Sequence, residues 1–200
     1  MWNRIATRVS RRAPQVVSAA IRPSIRHVVR PAVSTRTFFT SPARFDSLAE
    51  AQEQIKKGTE YLNQGSLDMA MHSYHKSVQI APSAAGYFNI GVCYFQMGKH
   101  KDAIDSFERS LDYEPNQADA HTNIASAYLM LKNVPEAIKH LEQASNFNPL
   151  DGEIQYNLGC VYEAMGNLDG AKTRFERAGI LGIEKADQAL EKLASKMEKQ

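Results

Sequence analysis

Two cysteines, six histidines and a scatter of Ser and Asp are all this 200-residue chain offers to covalent or metal chemistry. Cys93 and Cys160 stand 67 positions apart, neither with a second thiol nearby, so neither a disulfide framework nor a metal spacing is present. His72 and His75 lie three apart, on the outward side of a helix in the repeat register described below. No HExxH, no paired Cys–His set and no GxxxxGK[ST] occurs, and nothing in the spacing arranges a Ser, a His and an Asp as a triad. The expectation is a non-enzymatic chain with no metal and no cofactor.

What recurs instead is a set of residues that must position something else. Tyr61, Tyr94, Tyr128 and Tyr162 follow one another at intervals of 33, 34 and 34. Ala70, Ala103, Ala137 and Ala171 keep those intervals, and so do Tyr74, Phe107, Leu141 and Phe175. Gly58, Gly91, Ala125 and Gly159 hold a small residue three places before each Tyr. Pro82, Pro115 and Pro149 close the first three units, with Ile183 in the fourth proline's place. A period of this length is the mark of stacked supersecondary units that cannot bury their apolar faces alone.

The phased small residue, aromatic, Ala, aromatic and Pro resemble the tetratricopeptide repeat, over Ala51 to about Ile183. Repeats are read at 51–83, 84–117, 118–151 and 152–183; the first matches least, with Gln54 and Lys57 where an aromatic and an aliphatic residue are usual. The resemblance implies an all-α fold: a right-handed α-solenoid of four helix-turn-helix repeats. A C-terminal capping helix over 184–200 follows, since a solenoid needs a polar outer face on its last element. Gly91 and Gly159 are expected to let paired helices approach, with Tyr94 and Tyr162 filling the gap, so the four Tyr are assigned to the core. Ala103, Ala137 and Ala171 do the same from the second helix, where a larger side chain would overpack. Gly65, Gly98 and Gly166 suit left-handed C-caps at the turns; Lys132 takes that place in repeat three, ahead of Pro135.

In proteins of this family the first helix of each pair lines a concave groove. Its sixth place holds Asn89, Asn123 and Asn157, with Lys56 in repeat one. The resemblance implies that such an Asn ladder holds an extended peptide backbone, because a primary amide both donates and accepts. Neighbouring groove places carry Ile55, Leu62, Phe88, Val92, Phe95, Leu129, Met130 and Tyr156, more apolar than a solvated face requires. Cys160 is expected to face the groove and Cys93 to be packed and inert. The clamp that related domains use for the acidic C-termini of chaperones needs Lys and Asn, then Asn, then Lys and Arg. Ile55 and Thr59, Asn89, then Asp119 and Asn123 stand there, and starting one repeat later gives Phe88 and Val92, Asn123, then Glu153 and Asn157. That partner is disfavoured.

Charge divides the chain. Residues 1–45 hold nine Arg, no Lys and no acidic residue; the remaining 15 basic residues face all 22 acidic ones, so the body carries −7. A pI near 8.5 therefore says nothing about nucleic acid, which is not expected as a partner. The leader has the composition of a mitochondrial transit peptide, with Arg4, Arg8, Arg11 and Arg12 on one helical side and Trp2, Ile5 and Val9 on another. RTFFTSPARF resembles a two-step cleavage motif, placing cuts at 37/38 and 45/46 and leaving Asp46 first. No apolar run reaches the roughly 18 residues a membrane span requires. The sequence reading is thus a disordered, cleaved leader recognised by the import and processing machinery, ahead of a matrix adaptor that grips a protein or peptide in assembly, translation or quality control of a mitochondrial complex. A permanent structural subunit of a ribosome or respiratory complex is the alternative, and an accessory redox protein using Cys160 a third.

Overall fold

The computed structural model describes residues 42–198, with side chains described from Phe45 onward. Nine α-helices and no strand occur among them: α1 Pro42–Asn63, α2 Leu67–Ile80, α3 Ala84–Gln96, α4 His100–Leu111, α5 Ala118–Met130, α6 Val134–Phe147, α7 Gly152–Ala164, α8 Leu168–Ile180 and α9 Lys185–Met197. Each helix packs on its neighbours in sequence, giving four antiparallel hairpins stacked in a right-handed α-solenoid with α9 against α8. The odd-numbered helices are the first members of the pairs and run in one direction.

Every hairpin turn is closed the same way. The carbonyls of Tyr61, Tyr94, Tyr128 and Tyr162 accept from the N–H of Ser66, Lys99, Asn133 and Asn167, at 2.8–2.9 Å. A bond spanning five residues needs a left-handed residue just before its donor. Gly65, Gly98 and Gly166 supply it with φ of 78°, 74° and 80°. Lys132 supplies it in repeat three at φ 61°, the one non-glycine residue with positive φ among those described. Pro135 then sits in the first turn of α6, whose N-cap Asn133 accepts from the Glu136 N–H.

The glycines are where one helix meets the ring of its partner. A Cβ on Gly58 would lie 2.6 Å from the Tyr74 ring, on Gly91 2.7 Å from Phe107 and on Gly159 2.6 Å from Phe175. Repeat three exchanges both sides of the contact: Ala125 faces a cluster that holds Leu141 in place of a ring. These second-helix residues are buried to 1% exposure or less, and Ala70, Ala103, Ala137 and Ala171 are fully buried beside them.

This corrects the expectation for Tyr61, Tyr94, Tyr128 and Tyr162. They do not fill the gap at the small residue; the ring from the second helix does. The four Tyr are only partly buried, and three join successive cores: Tyr94 the first and second, Tyr128 the second and third, Tyr162 the third and the last.

α9 covers the last pair, with buried Leu193 clustered on Ala171 and Phe175 and buried Ala186 beside Gly179. Lys185 pairs with Glu153 at 2.6 Å and Lys196 with Glu163, so α9 lies along α7 in the position of one more first helix. At the other end α1 begins nine residues before Ala51, and its Phe45 and Leu48 are exposed. The cut proposed at 45/46 falls inside α1; the cut at 37/38 and residues 1–41 lie outside the described residues. No described helix is long and apolar enough to cross a membrane.

Candidate functional site

Asn89 on α3, Asn123 on α5 and Asn157 on α7 take the equivalent place of successive first helices, one per repeat. Asn89 and Asn123 are buried, at 8% and 3% exposure, while Asn157 is half-buried. The Asn123 amide nitrogen has no hydrogen-bond partner. Its polar neighbours on α5 are committed to their own helix: Thr122 Oγ1 donates to the Ala118 carbonyl and Ser126 Oγ to the Thr122 carbonyl, each at 3.0 Å. Gln155 shows the contrast. It is equally buried, yet its nitrogen donates to Ser145 at 2.8 Å and its oxygen accepts from Arg174 at 3.0 Å. Leaving a buried amide donor unpaired costs about 1–3 kcal/mol. Ser77 Oγ, His100 Nδ1 and Gln143 Oε1 are the other buried side-chain atoms left unpaired among the described residues.

The apolar residues assigned to the groove divide. Phe88, Val92, Phe95 and Leu129 are between 1% and 8% exposed and belong to the hydrophobic clusters between helices, with Phe88 5.4 Å from the Phe107 ring. They stabilise the stack and offer little to a ligand, which corrects their assignment. Ile55, Leu62, Met130 and Tyr156 remain partly accessible. Tyr156 is bounded by α9: the Lys185 ammonium lies 4.2 Å from its ring centroid.

The thiols carry no activated chemistry. Burial pushes Cys93 up to about 12. Burial also pushes Cys160 up to about 11, against a hydrogen bond with Tyr156 that lowers it. A thiolate nucleophile needs the opposite shift. No group of three or more His, Cys, Asp or Glu suited to a metal ion occurs among the described residues.

One contact was invisible to sequence reasoning. His121 and His140, 19 positions apart on α5 and α6, meet Nδ1 to Nδ1 at 3.0 Å. One Nδ1 must donate and the other accept, so the contact cannot hold with both rings charged. Burial, the facing His121 and Lys139 push His140 down to about 4. Asp119, one turn before Asn123 on α5, is surface-accessible, but partial desolvation and the Asp151 carboxylate hold its pKa above the ordinary value. It enters none of the ion pairs among the described residues.

Comparison with known proteins agrees with this architecture. The tetratricopeptide repeat family matches residues 94–156, and also 54–83 and 152–178, together more than half of the chain. A tetratricopeptide repeat and J domain-containing co-chaperone, DNJ1 of Cryptococcus neoformans, is 29% identical over 76 residues; that is 38% of this chain and only 15% of the co-chaperone. Among solved structures, MamA (41-end) of Desulfovibrio magneticus RS-1 superposes with a TM-score of 0.67 at 20% identity, covering 74% of this chain and 86% of that one. PilF of Pseudomonas aeruginosa gives 0.68 at 23% identity, covering 78% and 71%. The first TPR of Spaghetti (RPAP3), bound to HSP90 peptide SRMEEVD, gives 0.55 at 28% identity over 58% of this chain and 94% of that one. The repeat residues, their packing and these matches agree: the chain belongs to the tetratricopeptide repeat family.

Proposed function

We propose that this chain is a non-enzymatic mitochondrial adaptor that grips an extended polypeptide along the first helices of its repeats. The observation that supports this reading is the recurrence of Asn at one place of three successive first helices, Asn89, Asn123 and Asn157, in a chain of the tetratricopeptide repeat family. A row of primary amides meets both groups of a peptide backbone without reading side chains. That suits a holder of segments rather than a catalyst, and the raised thiol pKa values speak against the redox alternative.

The Spaghetti domain is a relative that binds a peptide, SRMEEVD, which ends in an acidic run. An acidic ligand fits this chain poorly: Asp119 and Glu153 stand where a carboxylate clamp needs cations, and Lys185 is already engaged with Glu153. The mitochondrial assignment, with assembly, translation or quality control of a complex as its setting, rests on the Arg-rich, acid-free leader and its cleavage motif. The test is a pull-down from mitochondrial extract with the mature form, wild type against the combined Asn89→Ala, Asn123→Ala and Asn157→Ala variant. Loss of specific partners from a variant of unchanged helicity is expected; retention of every partner rejects the reading.

One observation favours a permanent structural subunit as the second reading. Tyr113, Phe147, Leu150 and Ile180 are 50%, 42%, 74% and 86% exposed, all where second helices end and the linkers between repeats begin. An apolar edge of this kind suits burial in a large assembly. Size-exclusion of native extract separates the two, since a permanent subunit leaves essentially no free pool.

A further inference from the structure

Antiparallel hairpins bring the end of every second helix and the start of the next first helix to one edge of the stack, where Tyr113, Phe147 and Leu150 stay exposed. Two of these side chains are set in the same way. Tyr113 stacks on Tyr87, with ring centroids 5.7 Å apart and 21° between the planes. One repeat on, Phe147 stacks on His121 at 5.4 Å and 30°. In each pair the ring on the first helix is the more buried and the ring at the end of the second helix is turned to solvent. Leu150 stands on a fixed turn: Arg177 donates to the carbonyl of Pro149 at 3.1 Å and the Asp151 N–H donates to that of Asn148 at 3.3 Å. Side chains ordered beforehand lose little freedom when something docks on them.

The charge around these side chains leaves one sign unanswered. The cations of this edge are engaged: Arg109 lies over the Tyr87 ring at 5.8 Å, Arg177 holds the Pro149 carbonyl, and Lys185 pairs with Glu153. Asp112, Glu114 and Asp119 are exposed and enter none of the ion pairs among the described residues. Neighbouring carboxylates act on one another there. Burial, then Asp105 and Asp112, hold Glu108 above its ordinary value, and burial, then Asp151, do the same for Asp119. An incoming cation relieves repulsion of this kind. A second copy of the body, at −7, an anionic membrane or a nucleic acid would bring the wrong sign.

We propose that this edge docks a basic amphipathic helix of another protein, its apolar stripe on Tyr113, Phe147 and Leu150 and its Lys or Arg flank on Asp112, Glu114 and Asp119. A helix brings the stripe and the cations together, because apolar residues three and four apart share one face and the long basic side chains beside them reach past it. An extended peptide lacks the second half of what it needs: there is no strand among the described residues whose edge it could join. The proposal names the partner chemistry of the apolar edge on which the second reading rests, and it holds for a permanent or a transient partner alike. The Asn of the first helices take no part in it.

The test titrates the full-length protein into a fluorescein-labelled peptide of two Leu-Lys-Lys-Leu-Leu-Lys-Leu heptads and reads anisotropy at low salt, with the counterpart carrying Glu for every Lys as control. Binding of the Lys peptide and not of the Glu peptide is expected. Tyr113→Ser, Phe147→Ser and Leu150→Ser together should weaken it roughly tenfold. Asp112→Asn, Glu114→Gln and Asp119→Asn together should weaken it roughly fivefold and flatten its salt dependence. Glu50→Gln, Glu53→Gln and Glu60→Gln remove the same charge from α1 and should change affinity less than about twofold. Leu150→Glu alters one exposed side chain, so it keeps the test clear of unfolding, and it should weaken binding at least threefold. No binding by wild type, indifference to the edge exchanges, or an equal loss from the α1 exchanges overturns the proposal. Loss on changing Asn89, Asn123 and Asn157 to Ala would put the peptide in the groove and overturn it as well. Size-exclusion of native extract still judges permanence by itself.

Discussion

Gly91 and Phe107 make the sharpest prediction, because repeat three already carries the compensated form of their contact. A methyl on Gly91 would sit 2.7 Å from two ring atoms of Phe107, a side chain with no exposure and hence no direction of escape. Overpacking of this kind costs about 1–3 kcal/mol, whereas Ala in place of Gly in a helix interior gains about 1 kcal/mol. Gly91→Ala should therefore be destabilising by roughly 0–2 kcal/mol. Phe107→Leu alone loses ring contacts at a cost of roughly 1–1.5 kcal/mol. In the double variant the smaller Leu admits the methyl, as Leu141 accommodates Ala125. The helix-propensity gain then survives without the clash. Urea unfolding followed by circular dichroism should find the double variant more stable than the sum of the singles by roughly 1–3 kcal/mol. Additivity within about 0.5 kcal/mol, or a Gly91→Ala protein more stable than wild type, would refute the reasoning that the small residue exists to admit the partner ring.

Lys132→Gly should stabilise the protein by about 1 kcal/mol, since Lys132 holds a left-handed φ of 61° that the other three turns give to glycine. A rise of roughly 2–4 °C in melting temperature reads it, and a fall contradicts it. His140 makes stability depend on pH: its folded pKa of about 4 lies below the ordinary 6.5, so the unfolded chain binds more protons between those values and stability drops as pH falls below about 7. His121 and His75, also lowered, act with the same sign, whereas the raised carboxyls of Glu108 and Asp119 oppose it lower down. Melts between pH 7.5 and 5.5 should show the decline, and His140→Gln should flatten it; an unchanged slope counts against the buried pair. Cys160, at about 11, should react with iodoacetamide at pH 8 roughly a hundredfold more slowly than free cysteine. A rate within tenfold of free cysteine restores the redox reading.

Periodicity exposed the architecture because each unit buries the same face on the next, which forces the same residue sizes into the same places. The helices begin at Ala84, Ala118 and Gly152, where the repeats were read to start. What a one-dimensional register conceals is which partner meets which side. The spacing of three from Gly91 to Tyr94 lies within one helix, so it cannot show that the ring on Gly91 comes from Phe107 across the hairpin. Phe88, Val92, Phe95 and Leu129 lie on first helices as read, but a first helix touches both its own partner and the preceding pair, and those contacts absorb them. The His121–His140 contact joins residues outside the repeating set, so no recurrence announces it. Asn123 was found by its recurrence alone; that its amide is buried and unpaired needed coordinates.

The account stands most directly on what lies against the first helices in the cell. A photo-cross-linking residue at Asn157, half-buried in the Asn row, and another at Lys172, exposed on second helix α8, give the comparison within one protein. In intact mitochondria, specific polypeptide adducts at position 157 and none at position 172 are predicted. Adducts confined to position 172, or equal at both, would contradict a first-helix groove as the place where this protein holds its partner.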